Sequence, residues 1–181
     1  MGNSESLLTE EKIAELEGKT HFNQKEIKQM VKRYSAQIDS TTSAEMTRDG
    51  FLSIPEVACT PYAILFFNIY TSSQKSTLMP EEFLVLFSTL SNKATVEEKQ
   101  KLMFDAFDIN RDGDIGFNEL FRMYKNMFTA GFTDDQLTEL VNSVLAMPNL
   151  KTPGRISYEE FSKAISPMEL REKVTINLQL V

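Results

Sequence analysis

Apolar residues recur at helical spacing along most of the chain, and short polar stretches interrupt them at similar intervals. Thr9 to Glu17 reads as a short helix with Ile13 and Leu16 on one face, ended by Gly18. Ile27, Met30, Val31, Tyr34 and Ile38 mark a longer amphipathic helix, with Asn23 as N-cap and Glu26 three residues on. Ile64, Leu65, Phe66, Phe67 and Ile69 precede the next polar stretch, and Phe83, Leu84, Leu86 and Phe87 follow it. A third such pair has Leu102, Met103, Phe104, Ala106 and Phe107 before, and Leu120, Phe121, Met123, Tyr124, Met127 and Phe128 after. Apolar periodicity lapses from Ser91 to Thr95, which predicts a linker between two halves. From Lys173 to Val181 the period becomes two, with Val174, Ile176, Leu178 and Leu180 alternating with polar residues. That alternation predicts an extended tail with one apolar face.

The stretch between the third pair of helices carries the chemistry. Asp108-Ile109-Asn110-Arg111-Asp112-Gly113-Asp114-Ile115-Gly116-Phe117-Asn118-Glu119 has the spacing of a calcium-binding EF-hand loop. Positions one, three and five (Asp108, Asn110, Asp112) offer side-chain oxygens, and Gly113 at position six permits the sharp turn. Asp114 at position seven contributes its backbone carbonyl. Gly116 at position nine leaves that vertex to water, and Glu119 at position twelve closes the shell with two oxygens. The loop holds four carboxylates against Arg111, a formal charge of −3 that a divalent cation largely neutralises.

Three further frames start at Asp39, Thr71 and Asn149, so successive frames are offset by 32, 37 and 41 residues on subtraction. Each has lost ligands. The first ends at Gly50 where the bidentate Glu belongs, the second has Lys75 at position five, and the fourth has Lys151 and Pro153 at positions three and five. The second keeps Glu82 and the fourth Glu160 at position twelve. Lys75 is expected to substitute in part for the missing ion. Position eight stays apolar throughout (Met46, Leu78, Ile115, Ile156), as required if paired loops exchange a short antiparallel backbone contact. The expected fold is all-α: two lobes of paired helix-loop-helix units, four in total, three with degenerate loops, joined by short inter-loop β contacts. The expected domains are an N-terminal arm (1–20), an N-terminal lobe (21–90), a C-terminal lobe (91–165) and an apolar tail (166–181). One calcium site is expected, at Asp108, Asn110, Asp112, Asp114 and Glu119.

Composition narrows the remaining choices. With 41% hydrophobic residues in 181, the chain can bury a core, and no run is apolar enough to span a bilayer. A net charge of −7 and a pI near 4.9 argue against nucleic-acid binding. The single cysteine, Cys59, suits a reducing, cytoplasmic setting, and with one His (His21) it cannot build a zinc cluster. No catalytic constellation is available, so the chain is not expected to be an enzyme; His21 lies beside Phe22 at a helix entrance without a recognisable partner set. The start, Met1-Gly2-Asn3-Ser4-Glu5-Ser6, fits the N-myristoylation pattern on Gly2, which would give reversible, peripheral membrane contact.

Taken together, the acylation signal, the four frames and the apolar tail resemble the calcineurin regulatory B subunit family. The likeness extends over nearly the whole chain, through Met1-Gly2-Asn3, His21-Phe22, Glu26-Ile27-Lys28, Lys32-Arg33, Ser53-Ile54-Pro55-Glu56 and Gly154-Arg155-Ile156-Ser157. The calcineurin B homologous proteins, adaptors of sodium/proton exchangers, share a similar start and ending but usually carry a longer central connection. The resemblance implies a non-catalytic, calcium-binding regulatory subunit that binds an amphipathic helix of a calcium- and calmodulin-dependent Ser/Thr phosphatase catalytic subunit. An exchanger adaptor or a free myristoylated calcium sensor is the alternative. Family members typically bind calcium in all four loops, so this chain departs from them in three.

Overall fold

A computed structural model of the chain describes residues 7–38, 45–71, 75–128, 131–178 and 180. Gly2, and the first loop from Asp39 to Ala44, lie outside them. Helix α1 (Glu10–Lys19) starts at Thr9, whose hydroxyl accepts from the Lys12 N–H at 3.2 Å. It runs through Gly18, which does not break it: the position is open, and the helix ends instead at Thr20. Helix α2 (Gln24–Ser35) opens with the expected reciprocal cap, Glu26 N–H onto Asn23 at 3.0 Å and Asn23 N–H onto Glu26 at 2.9 Å.

The exit from the first loop is divided into α3 (Arg48–Leu52) and α4 (Pro55–Ala58), because Pro55 cannot continue a helix but can begin one. Helices α5 (Ala63–Ile69) and α6 (Pro80–Leu90) form the second unit, and α7 (Val96–Phe107) and α8 (Phe117–Met127) the third. Helix α9 (Asp134–Leu145) leads into the fourth loop, and α10 (Tyr158–Ala164) leaves it. A further helix, α11 (Pro167–Val174), occupies the first half of the segment read as a tail. The extended part begins at Thr175, where the Ile176 N–H reaches the Leu90 carbonyl at 2.7 Å and Ile176 is buried. Leu178 and Leu180 pack on the same core, so the apolar face that alternates along the sequence is covered.

The inter-loop contacts fall at position eight of each frame. In the C-terminal half, β1 (Asp114–Ile115) pairs antiparallel with β2 (Ile156–Ser157), placing Ile115 opposite Ile156. In the N-terminal half, Met46 and Leu78 exchange both N–H···O bonds, at 3.1 and 2.8 Å. The helices flanking these bridges bury one continuous core, with Phe51, Phe66, Phe83 and Phe87 among its fully enclosed side chains and Phe104, Phe107 and Phe161 in the C-terminal part.

Candidate metal centre

The third loop begins where α7 stops. Phe107 is its last helical residue, and Asp108 leaves the helix with ψ near 75°. Two positive φ angles then turn the chain back, Arg111 at 59° and Gly113 at 89°. At Gly113 a side chain would strain the backbone whatever the space around it. The side chains of the loop fold inwards onto its own N–H groups. Asp108 accepts from Asp112 N–H at 3.1 Å and Gly113 N–H at 3.0 Å, Asn110 accepts from Asp112 N–H at 2.8 Å, and Asp112 accepts from Asp114 N–H at 3.1 Å. Glu119, in the first turn of α8, spans the loop by accepting from Asn110 N–H at 3.1 Å and Gly116 N–H at 2.9 Å.

Asp108 and Glu119 are each only 6% exposed, and among the described residues neither has an ion-pair partner. Two buried carboxylates with no counter-charge on them are costly, and a divalent cation removes that cost. The donor set is all oxygen, which suits a hard ion such as calcium. The carboxylates face separate N–H groups rather than one shared point, and among the described residues no three His, Cys, Asp or Glu side chains converge as a finished cage.

One charge at the site comes from outside the loop. Arg155, at position seven of the fourth frame, sets its Nη1 2.7 Å from Asp112 Oδ2 and 3.8 Å from Asp114 Oδ2. Its guanidinium, ahead of the Asp114 N–H, holds the Asp112 carboxyl below the usual carboxylate range. The loop's own cation, Arg111, points elsewhere: it donates to the Ile69 carbonyl at 2.7 Å, at the end of α5.

At their described residues the degenerate loops show other partners. In the second, the Lys75 ammonium contacts both oxygens of Glu82, one of them at 2.5 Å, and Glu82 also accepts from Met79 N–H at 2.8 Å. The lysine at position five thus reaches the glutamate at position twelve. In the fourth, Glu160 accepts from Lys151 N–H at 2.6 Å and Ser157 N–H at 2.9 Å, the same positions three and nine that Glu119 ties together. In the first, Gly50 approaches the chain so closely that an added Cβ would lie 2.6 Å from the Gln37 carbonyl oxygen. That exit cannot carry a glutamate without moving.

Two contributions were not visible in the sequence. The Tyr34 hydroxyl joins the N-terminal loop bridge, accepting from Met46 N–H at 2.9 Å and donating to the Leu78 carbonyl at 2.7 Å. His21 has a partner after all, Glu98 at 2.9 Å, across the join between the two halves. The period-3.6 pattern placed Tyr34 on the inner face of its helix, but did not show what its hydroxyl would meet.

Comparison with known proteins agrees with this layout. The EF hand family model matches residues 100–124, which cover most of α7, the third loop and most of α8. The chain is 33% identical over 178 residues to the type 1 calcineurin B subunit of Dictyostelium discoideum, covering 98% of each chain. It is 32% identical to the calcineurin B subunit of Naegleria gruberi over 98% of this chain and 100% of that one. The human type 2 calcineurin B subunit is 29% identical over 157 residues, 87% of this chain and 92% of that one. End-to-end identity at this level, on a fold of four EF-hand units bridged at position eight, means that the chain belongs to the calcineurin B subunit family.

Proposed function

We propose that the chain is a non-catalytic, calcium-binding regulatory subunit that docks an amphipathic helix of a Ser/Thr phosphatase catalytic subunit. The observation that carries this reading is an aromatic ridge on α8 whose two ends are exposed while its middle, Phe121 and Tyr124, packs against the core. Phe117, Phe121, Tyr124 and Phe128 recur at spacings of four, three and four, one face of a helix. Phe117 stacks on Phe121 with centroids 6.1 Å apart, Tyr124 lies 5.9 Å from Phe128, and Phe128 lies 4.9 Å from Phe132. Phe117, Phe128 and Phe132 are 36%, 36% and 48% exposed. Exposed aromatic rings at the two ends of one helix face, continued by Phe132, suit a partner that presents its own apolar helix face. A separate cleft of about 510 Å³ between α5, α7 and α8, lined by Leu65, Ile69, Asp105 and Arg122, lies on another face of α8 from the ridge.

Calcium at Asp108, Asn110, Asp112 and Glu119, with the Asp114 carbonyl, would hold the start of α8 and so the root of that ridge. Gly2 is the proposed acylation site, and an intact-mass shift of one acyl chain that disappears in Gly2→Ala tests it. Affinity purification of the full chain from cells, with and without a calcium chelator, tests the main proposal. A phosphatase catalytic subunit retained in both conditions supports it; an ion exchanger, or no stable partner, contradicts it. Phe128→Glu, on the exposed end of the ridge, should weaken capture of that catalytic subunit at least tenfold while leaving the fold intact.

A further inference from the structure

We infer that Arg155 is a built-in competitor for the third loop: a cation supplied by the fourth loop that occupies Asp112 when the metal is absent and lowers the loop's affinity for calcium. This rests on the reading that the loop from Asp108 to Glu119 takes calcium.

The geometry supports it at three points. The β1–β2 pairing sets Ile115 opposite Ile156 and Asp114 opposite Ser157, so Arg155, one residue before β2, lies diagonally across from Asp114 with its Nη1 3.8 Å from Asp114 Oδ2. Position seven contributes a backbone carbonyl to the coordination shell, so its side chain is free for another task. Arg155 uses that freedom to reach past Asp114 and donate to Asp112, the position-five ligand, at 2.7 Å.

Asp112 is fully committed in this arrangement. Its Oδ2 accepts from Arg155 and from Asn110 Nδ2 at 3.1 Å, and its Oδ1 accepts from Asp114 N–H at 3.1 Å. Coordination requires an oxygen of Asp112 to be released, and the guanidinium is the strongest of the three donors holding it. A second acceptor is within reach, since Asp114 Oδ2 lies 3.8 Å from the same Nη1. Arg155 moves from Asp112 to Asp114 as the loop loads, so the cation stays paired while the ligand is freed. The charges also match: the loop's formal −3 becomes −2 with Arg155 included, which one divalent ion cancels.

A unit charge one hydrogen bond away from a ligand oxygen, in surroundings close to water, opposes a divalent ion by about tenfold in affinity. The contact is exposed, with Arg155 and Asp112 side chains 46% and 35% accessible, so its effect is screened by salt.

The test uses the full chain and measures calcium affinity by chelator competition in wild type, Arg155→Gln, Asp114→Asn and the double variant, at low and at about 1 M salt, where the screening length falls to about 3 Å. Arg155→Gln is expected to bind about tenfold more tightly at low salt, with the gain mostly lost at high salt. Asp114→Asn is expected to bind more weakly, and by a smaller factor when Arg155 is already Gln, because the alternative seat for the guanidinium no longer matters. Equal affinity in wild type and Arg155→Gln, or weaker binding in the variant, overturns the competitor role and leaves the calcium site standing. No calcium uptake by wild type or by Arg155→Gln overturns both. Arg155→Lys, which keeps the charge, should restore weak binding; tight binding in it also overturns the proposal.

Discussion

Three single residues show how local chemistry decides what the loops can do. Tyr34 is fully buried, edge-on to Phe83 at 5.4 Å, and its hydroxyl belongs to the Met46–Leu78 bridge. Burial pushes that phenol up to about 12. In Tyr34→Phe the Met46 N–H and Leu78 carbonyl still hold each other, so the loss is that of a typical hydrogen bond, about 1 kcal/mol, read by urea denaturation. Gly50 is different, since the Gln37 carbonyl fills the space where a side chain would start. Gly50→Glu, which restores the missing ligand on paper, should lower stability by about 1–3 kcal/mol through overpacking and add no calcium site by calorimetry. Lys99 is 2% exposed and donates to the carbonyls of Thr89 at 2.9 Å and Ser91 at 2.7 Å, closing the end of α6. Burial pulls its ammonium down from 10.5 to about 8. Between these values the unfolded chain binds the extra proton, so stability rises with pH from about 8 to 10.5. Denaturation of wild type minus Lys99→Met over that interval should show the rise; a flat difference contradicts it.

At the scale of elements, the second loop shows how an EF-hand unit lasts without its ion. The Lys75–Glu82 pair, joined by the Met79 N–H, links the middle of the loop to the start of α6. Lys75→Met should cost about 1 kcal/mol, since the pair is only partly buried and such pairs are worth little more, while calcium stoichiometry stays the same. Unchanged stability would mean that the ammonium does not replace the cation. Much of this was legible beforehand. The apolar residue at position eight announced both inter-loop bridges, and Asn23 with Glu26 announced the start of α2, because both signals depend on neighbours close in sequence or on a repeat. The sharp turn at Gly113 in the third loop was legible for the same reason. The reach of Arg155 to Asp112 was not, since the position-eight pairing sets the two backbones side by side but does not fix which way a long side chain crosses between them. Gly18 misled because an open helix position tolerates glycine at a cost of only about 1 kcal/mol. Helix α11 escaped because the alternating tail that follows it includes its final residues.

On the scale of the whole molecule, the third loop is tied to both halves. Arg155 joins it to the fourth loop, and Arg111 joins it to the end of α5 through the Ile69 carbonyl. Helix α7 packs against α5 and α6 on one side and α10 and α11 on the other, inside one continuous core. A molecule built this way presents a largely preformed surface, with the α8 ridge rooted directly after the loop. The other three units keep their bridges and helix starts, so calcium is expected to act at a single point. Whether one loop of four is competent is decided by titration calorimetry of the full chain, stripped of metal. One calcium ion per chain is expected, with binding lost in Glu119→Gln and unchanged in Glu82→Gln and Glu160→Gln. Two or more ions per chain, or uptake that survives Glu119→Gln, would contradict it.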